Sequence, residues 1–173
     1  TTTIAYRPMQ PIATVKRCIV VIPEEAEKEV GFPYWLLSIW NIGKNLGMKF
    51  IFYGHQDVLD ILKMVNAKHT IDVECREFTD WDNFSEVANA VQDNDALALV
   101  MSRPGFPSYS RHMEYVPTYI NKYFNTVNCM LIYPMQMGVG DDSTTFHSIS
   151  MINRVECMEG LVQVLGKLFK KNK

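Results

Sequence analysis

Cys18-Ile19-Val20-Val21-Ile22, closed by Pro23, is the stretch on which the fold turns. A short, continuous, largely β-branched run ended by proline is the pattern of a strand covered on both faces, as in a parallel sheet. Downstream comes an acidic stretch (Glu24, Glu25, Glu27, Glu29), read as a solvated loop accompanying Lys28. After Gly31, the segment from Phe32 to Leu46 places Leu36, Ile39, Trp40 and Gly43 on one helical face, with Pro33 suited to the first turn and Gly47 to a C-terminal cap. Trp35 and Trp40 are separated by roughly 140° around such a helix. If Trp40 is core, Trp35 is expected at a rim or an interface.

The same alternation continues along the chain. Met48 to Tyr53 is a second strand and Gln56 to Ala67 a second helix, with Val58, Leu59, Leu62 and Val65 inward. Ile71 to Phe78 reads as a third, more exposed strand. Thr79 or Asp80 then caps a third helix holding Phe84, Val87, Ala88 and Val91. Asp95 to Met101 is a fourth strand, the helix with Val116, Tyr119, Ile120, Tyr123 and Phe124 a fourth helix, and Asn128 to Pro134 a fifth strand. Strands alternating with helices call for a doubly wound α/β sandwich: a five-stranded parallel sheet with right-handed crossovers on both faces. The expected organisation is a linker over 1–16, marked by Pro8 and Pro11, and the α/β domain over 17–136. A turn-rich segment and a C-terminal amphipathic helix fill 137–173, with Met158, Leu161, Val162, Leu165, Leu168 and Phe169 on one face. The basic end of that helix (Lys167, Lys170, Lys171, Lys173) suits a helix C-terminus, membrane-surface contact being the other reading.

Composition narrows the function classes. The chain has 173 residues, 47% of them hydrophobic, and 17 Lys plus Arg against 19 Asp plus Glu, a net charge of −2. That balance lacks the basic footprint of a nucleic-acid or anionic-membrane binder. No apolar run approaches the roughly 20 residues of a membrane span, so the chain is expected to be soluble. Its Thr1-Thr2-Thr3 start has neither initiator Met nor signal-peptide character, so an excised fragment is expected. Cys18, Cys75, Cys129 and Cys157 form no CxxC pair and read as reduced structural thiols of a cytosolic compartment.

In an open α/β sheet the ligand crevice lies beyond the carboxyl ends of the strands, where strand order reverses. Two loops frame that place: Pro23, Glu24 and Glu25 after the first strand, and Ser102 to Ser110 after the fourth. The second loop offers Arg103 for charge, Gly105 for close backbone approach, and Ser102, Ser108, Tyr109 and Ser110 as hydroxyl donors near a helix start, a set suited to a nucleotide or another anion. No G-x-G-x-x-G, P-loop or G-x-S-x-G motif occurs, and His55, His69, His112 and His147 are scattered without metal-ligand spacing. Neither a metal site nor catalysis is expected. An α/β hydrolase-like or transferase enzyme stands as a third reading, needing a nucleophile and a base within hydrogen-bond reach.

Several blocks resemble a known family. The order of elements and the glycine-containing loop between the fourth strand and fourth helix resemble the universal stress protein fold, an adenine-nucleotide-binding α/β family. Ile19-Val20-Val21-Ile22-Pro23, Gly31 to Trp40, Phe52-Tyr53-Gly54, Trp81-Asp82-Asn83-Phe84, Tyr119 to Phe124 and Leu131-Ile132-Tyr133-Pro134 are similar to a subgroup. That subgroup is the cytoplasmic C-terminal domain of bacterial monovalent cation:proton (sodium/proton) antiporters. Of the family's nucleotide loop this chain has Gly105, with Ser108 where the second glycine stands and no later glycine before the helix. Pro23, with Glu24 beside it, occupies the place of the family's acidic residue. The resemblance implies a non-catalytic regulatory or assembly domain beneath a transmembrane antiporter domain of the same chain, at the cytoplasmic face of the bacterial inner membrane. It also implies a homodimer around the fifth strand and, as a possible cofactor, an adenine nucleotide. The alternative it leaves open is a free-standing nucleotide-binding universal stress protein.

Overall fold

A computed structural model describes residues 2–135. The segment and helix expected over 137–173, with His147, Cys157 and the terminal lysines, lie outside the described residues. Strands and helices alternate as β1 (Thr3–Arg7), β2 (Arg17–Val21), α1 (Phe32–Leu46), β3 (Lys49–Gly54), α2 (Gln56–Lys68), β4 (Val73–Glu77), α3 (Ser85–Ala90), β5 (Asp95–Val100), α4 (Val116–Tyr123) and β6 (Asn128–Tyr133). They make one sheet in the order β1-β6-β5-β2-β3-β4, parallel throughout except for β1, which runs antiparallel to β6.

The parallel part matches the expected five strands; the sheet as a whole has six. The extra strand comes from the segment expected to be a linker. Thr3 to Tyr6 are exposed, so the strand has no apolar alternation to announce it. It is fastened by polar groups instead. The buried Asn128 side chain accepts the backbone N–H of Met9 at 2.6 Å and of Gln10 at 2.9 Å, and donates to the Gln10 carbonyl at 3.0 Å. Arg7 donates to the Phe124 carbonyl at 2.5 Å. Because β1 takes the outer edge of β6, the strand edge expected to carry a dimer is already paired within the chain.

Residues along the central strands alternate between two cores. Cys18, Val20, Ile22, Phe50, Phe52, Ala98 and Val100 pack under α1 and α2, whereas Ile19, Val21, Ile51, Tyr53, Leu97 and Leu99 pack under α3 and α4. That period of two, with both faces covered, is why β2 and β5 read as unbroken apolar runs. The result is a three-layer, Rossmann-like sandwich. α1 ends as its sequence implies, Gly47 adopting the left-handed conformation (φ 63°) that closes a helix at low cost.

Trp35 departs from expectation. It is fully buried, as is nearly all of Trp40, because α1 is covered over a stripe wide enough for both. Trp35 meets Phe32 edge-on at 5.3 Å, and Trp40 stacks on Phe52 at 6.0 Å while donating its indole N–H to the His69 carbonyl at 2.8 Å. Burial of each ring system contributes roughly 1.5–3 kcal/mol. The third helix is also shorter than its periodicity suggests. Asp80 caps a single 3-10 turn at Trp81–Asn83, and α3 starts only at Ser85. At the amino end of the sheet, Arg17 grips the buried Asp95 with two hydrogen bonds of 2.9 and 2.6 Å.

Candidate functional site

Successive crossovers place β3 on one side of β2 and β5 on the other, so strand order reverses between β2 and β5. Beyond the carboxyl ends of these strands lies a cleft of about 450 Å³. That volume and position suit a small-molecule site. The turn after β2 contributes Pro23, Glu24 and Glu25, and the end of β3 contributes His55. Phe78, Thr79, Asp80 and Trp81 come from the segment after β4, and Pro107 to Ser110 with His112 from the loop after β5. Glu25 has left-handed backbone (φ 61°), alone among the described non-glycine residues. Such strain is held only where surrounding structure enforces it.

Pro23, Glu24, Glu25, Ser108, Tyr109 and Ser110 meet in the cleft. Ser102, Arg103 and Gly105 do not line it. The Ser102 backbone N–H is turned to the Met113 sulfur, 3.3 Å away. Arg103 lies over the Tyr133 ring, 5.7 Å from its centroid, with a long 3.4 Å contact to the Pro134 carbonyl. Gly105 stands in a left-handed turn (φ 92°) with open space around it. The residues sequence reasoning missed are His55, Phe78, Thr79, Asp80, Trp81 and His112. Their common signal is position: each follows the carboxyl end of a strand.

The donors that would greet an anion are engaged within the chain. The buried Glu29 carboxyl accepts the Ser108 backbone N–H at 3.2 Å and the Ser108 hydroxyl at 2.7 Å. So one member of the acidic stretch read as a solvated loop is an internal anchor. The helical starts facing the cleft are each capped by their own side chain. Asp80 accepts from the Asp82 N–H at 3.0 Å, Ser110 from the His112 N–H at 3.3 Å, and His55 from the Asp57 N–H at 3.5 Å. Tyr109 donates its hydroxyl to Glu114 at 2.8 Å, and this bond raises the phenol's pKa.

Charge around the cleft is negative. Glu24, Glu25 and Asp80 line it and no lysine or arginine does. Glu25 is paired with Lys28 at 2.6 Å, which holds the ammonium pKa above its ordinary value. Nearby, burial pushes the Glu27 carboxyl pKa up, with Asp57 and Glu25 adding to the shift against the opposing effects of a backbone hydrogen bond and Lys28. His112 Nδ1 lies 3.0 Å from Asp82, an imidazole oriented by a carboxylate. Among the described residues neither the Ser108 nor the Ser110 hydroxyl is bonded to that imidazole. No group of three or more His, Cys, Asp or Glu among them could hold a metal ion. No described helix is long and apolar enough to cross a membrane.

Compared with protein-family models, curated proteins and solved structures, the chain matches none of them.

Proposed function

We propose that this chain is a non-catalytic regulatory and assembly domain of a bacterial sodium/proton antiporter, whose switch-point cleft senses a small ligand. In this reading it sits at the cytoplasmic face of the inner membrane, joined to a transmembrane antiporter domain of the same protein, and self-association uses the β1 edge. The observation that carries the sensing role is the cleft itself: four segments that each follow a strand end converge on about 450 Å³. Of the hydroxyls in it, Ser108 is bonded to Glu29 and Tyr109 to Glu114. The transporter half of the reading rests on the sequence resemblance, whose blocks fall in β2, α1, the end of β3, the turn before α3, α4 and the end of β6. A ligand acts on transport only through a difference in affinity between two transporter states.

The test is the reading frame ahead of Thr1. A series of apolar segments of about 20 residues is expected there. A start codon just upstream would overturn the transporter reading and leave a free-standing ligand-binding domain.

A further inference from the structure

Resting on the reading of the cleft as a sensing site, we infer that it takes a small organic cation, with an ammonium group between Glu24 and Asp80 and its carbon chain against Trp81 and Pro107. What defines the site is a cavity whose backbone N–H groups at the Ser108 loop and the helix starts are already engaged, while the carboxyls of Glu24 and Asp80 face it. An incoming phosphate would find the Ser108 N–H and hydroxyl on Glu29, and the capped N–H groups of Asp57, Asp82 and His112 already bonded. No guanidinium or ammonium lines the space to replace them. Anion sites depend on free N–H groups and positive charge.

For a cation the same walls are favourable. Neither Glu24 nor Asp80 has an ion pair among the described residues, the Asp80 carboxyl spending one oxygen on the Asp82 N–H. An ammonium group donates three hydrogen bonds and accepts none, which matches a cleft rich in carboxyl and hydroxyl oxygens. Pro23, Pro107, Phe78 and Trp81 supply apolar surface for a carbon chain. A flexible diamine or triamine fits the volume; a triphosphate meets only like charge.

Titration calorimetry of the full 173-residue chain with spermidine, and separately with ATP, at constant ionic strength tests the assignment. Spermidine should bind one site. Glu24→Gln and Asp80→Asn should each weaken it at least about tenfold, the latter keeping its capping oxygen, as asparagine caps as well as aspartate. Asp93→Asn, an exposed acid at the amino end of β5, should leave the affinity unchanged. Equal weakening by all three variants would show diffuse attraction to an acidic surface and overturn the inference. ATP binding at the cleft, without spermidine binding, would overturn the cation while leaving a sensing domain. If neither ligand binds, the inference fails together with the sensing role.

Discussion

Glu29 receives both the backbone N–H and the hydroxyl of Ser108, at 3.2 and 2.7 Å, across a sequence separation of 79 residues. The bond joins the segment after β2 to the loop after β5, the two strands between which the sheet reverses. It therefore holds the two walls of the cleft at a fixed separation. Ser108→Ala removes the shorter bond inside a buried site and should lower stability by about 1–3 kcal/mol. In urea unfolding the midpoint should fall with the slope unchanged. An unaltered midpoint would remove Glu29 from the role of anchor.

Asn128 plays a comparable part at the sheet edge. Its side chain makes three hydrogen bonds to the backbone after β1, and Asn128→Ala leaves two N–H groups and a carbonyl without them. Global stability should drop by about 2 kcal/mol. Amide exchange should speed up in Thr3–Arg7 well beyond its increase in β2 or β5. Uniform acceleration along the whole sheet would contradict a local fastening.

Glu27 gives a pH dependence of definite sign. Its carboxyl pKa is raised by burial in the folded chain, so the folded state holds the proton to higher pH than the unfolded one. That group's contribution to stability falls as pH rises from the ordinary glutamate value through the raised one, and is level above it. Glu27→Gln should be more stable than the parent at pH 7, with the difference gone in acid below the ordinary carboxylate range. Thermal midpoints at about pH 3 and pH 7 measure it, and a difference that grows in acid would reverse the assignment.

The thiols should react in order of burial. Cys18 is fully enclosed and its pKa is pushed up to about 12, leaving almost no thiolate at pH 8. Cys129 is also buried and raised by burial, whereas Cys75 on β4 is half-buried. Among the three described thiols, peptide-resolved iodoacetamide labelling of native protein should modify Cys75 first. Cys18 and Cys129 should follow only at the rate of global opening. Early labelling of Cys18 would mean that β2 is not at the centre of the stable core.

How far the sequence spoke depends on which force shaped each element. β2, β3 and β5 were legible because strands buried on both faces must be apolar throughout, and α1 because Gly47 and Pro33 punctuate it. β1 was hidden because its bonds go to β6 and to Asn128 while its side chains stay in solvent. Trp35 was misjudged because angle around a helix says nothing of how wide a stripe the neighbours cover. The cleft was half legible. Pro23, Glu24, Glu25, Ser108, Tyr109 and Ser110 follow from the switch-point rule, and the same rule applied to β3 and β4 would have given His55 and Asp80. The inward or outward choice of Arg103 was beyond reach, because its neighbours in space, Tyr133 and Pro134, lie at the end of β6 and just after it.

The antiparallel course of β1 decides how this domain is held by any polypeptide joined to it. Thr3 lies opposite Tyr133, and the Met135 N–H reaches the Thr2 hydroxyl at 3.3 Å. The two ends of the described chain thus share one corner, at the same end of the sheet as the cleft. Gly31, leading into α1, sits against that corner so closely that a Cβ there would come within 2.5 Å of the Met135 carbonyl oxygen. The described chain therefore enters and leaves at one corner, on the cleft's side of the sheet.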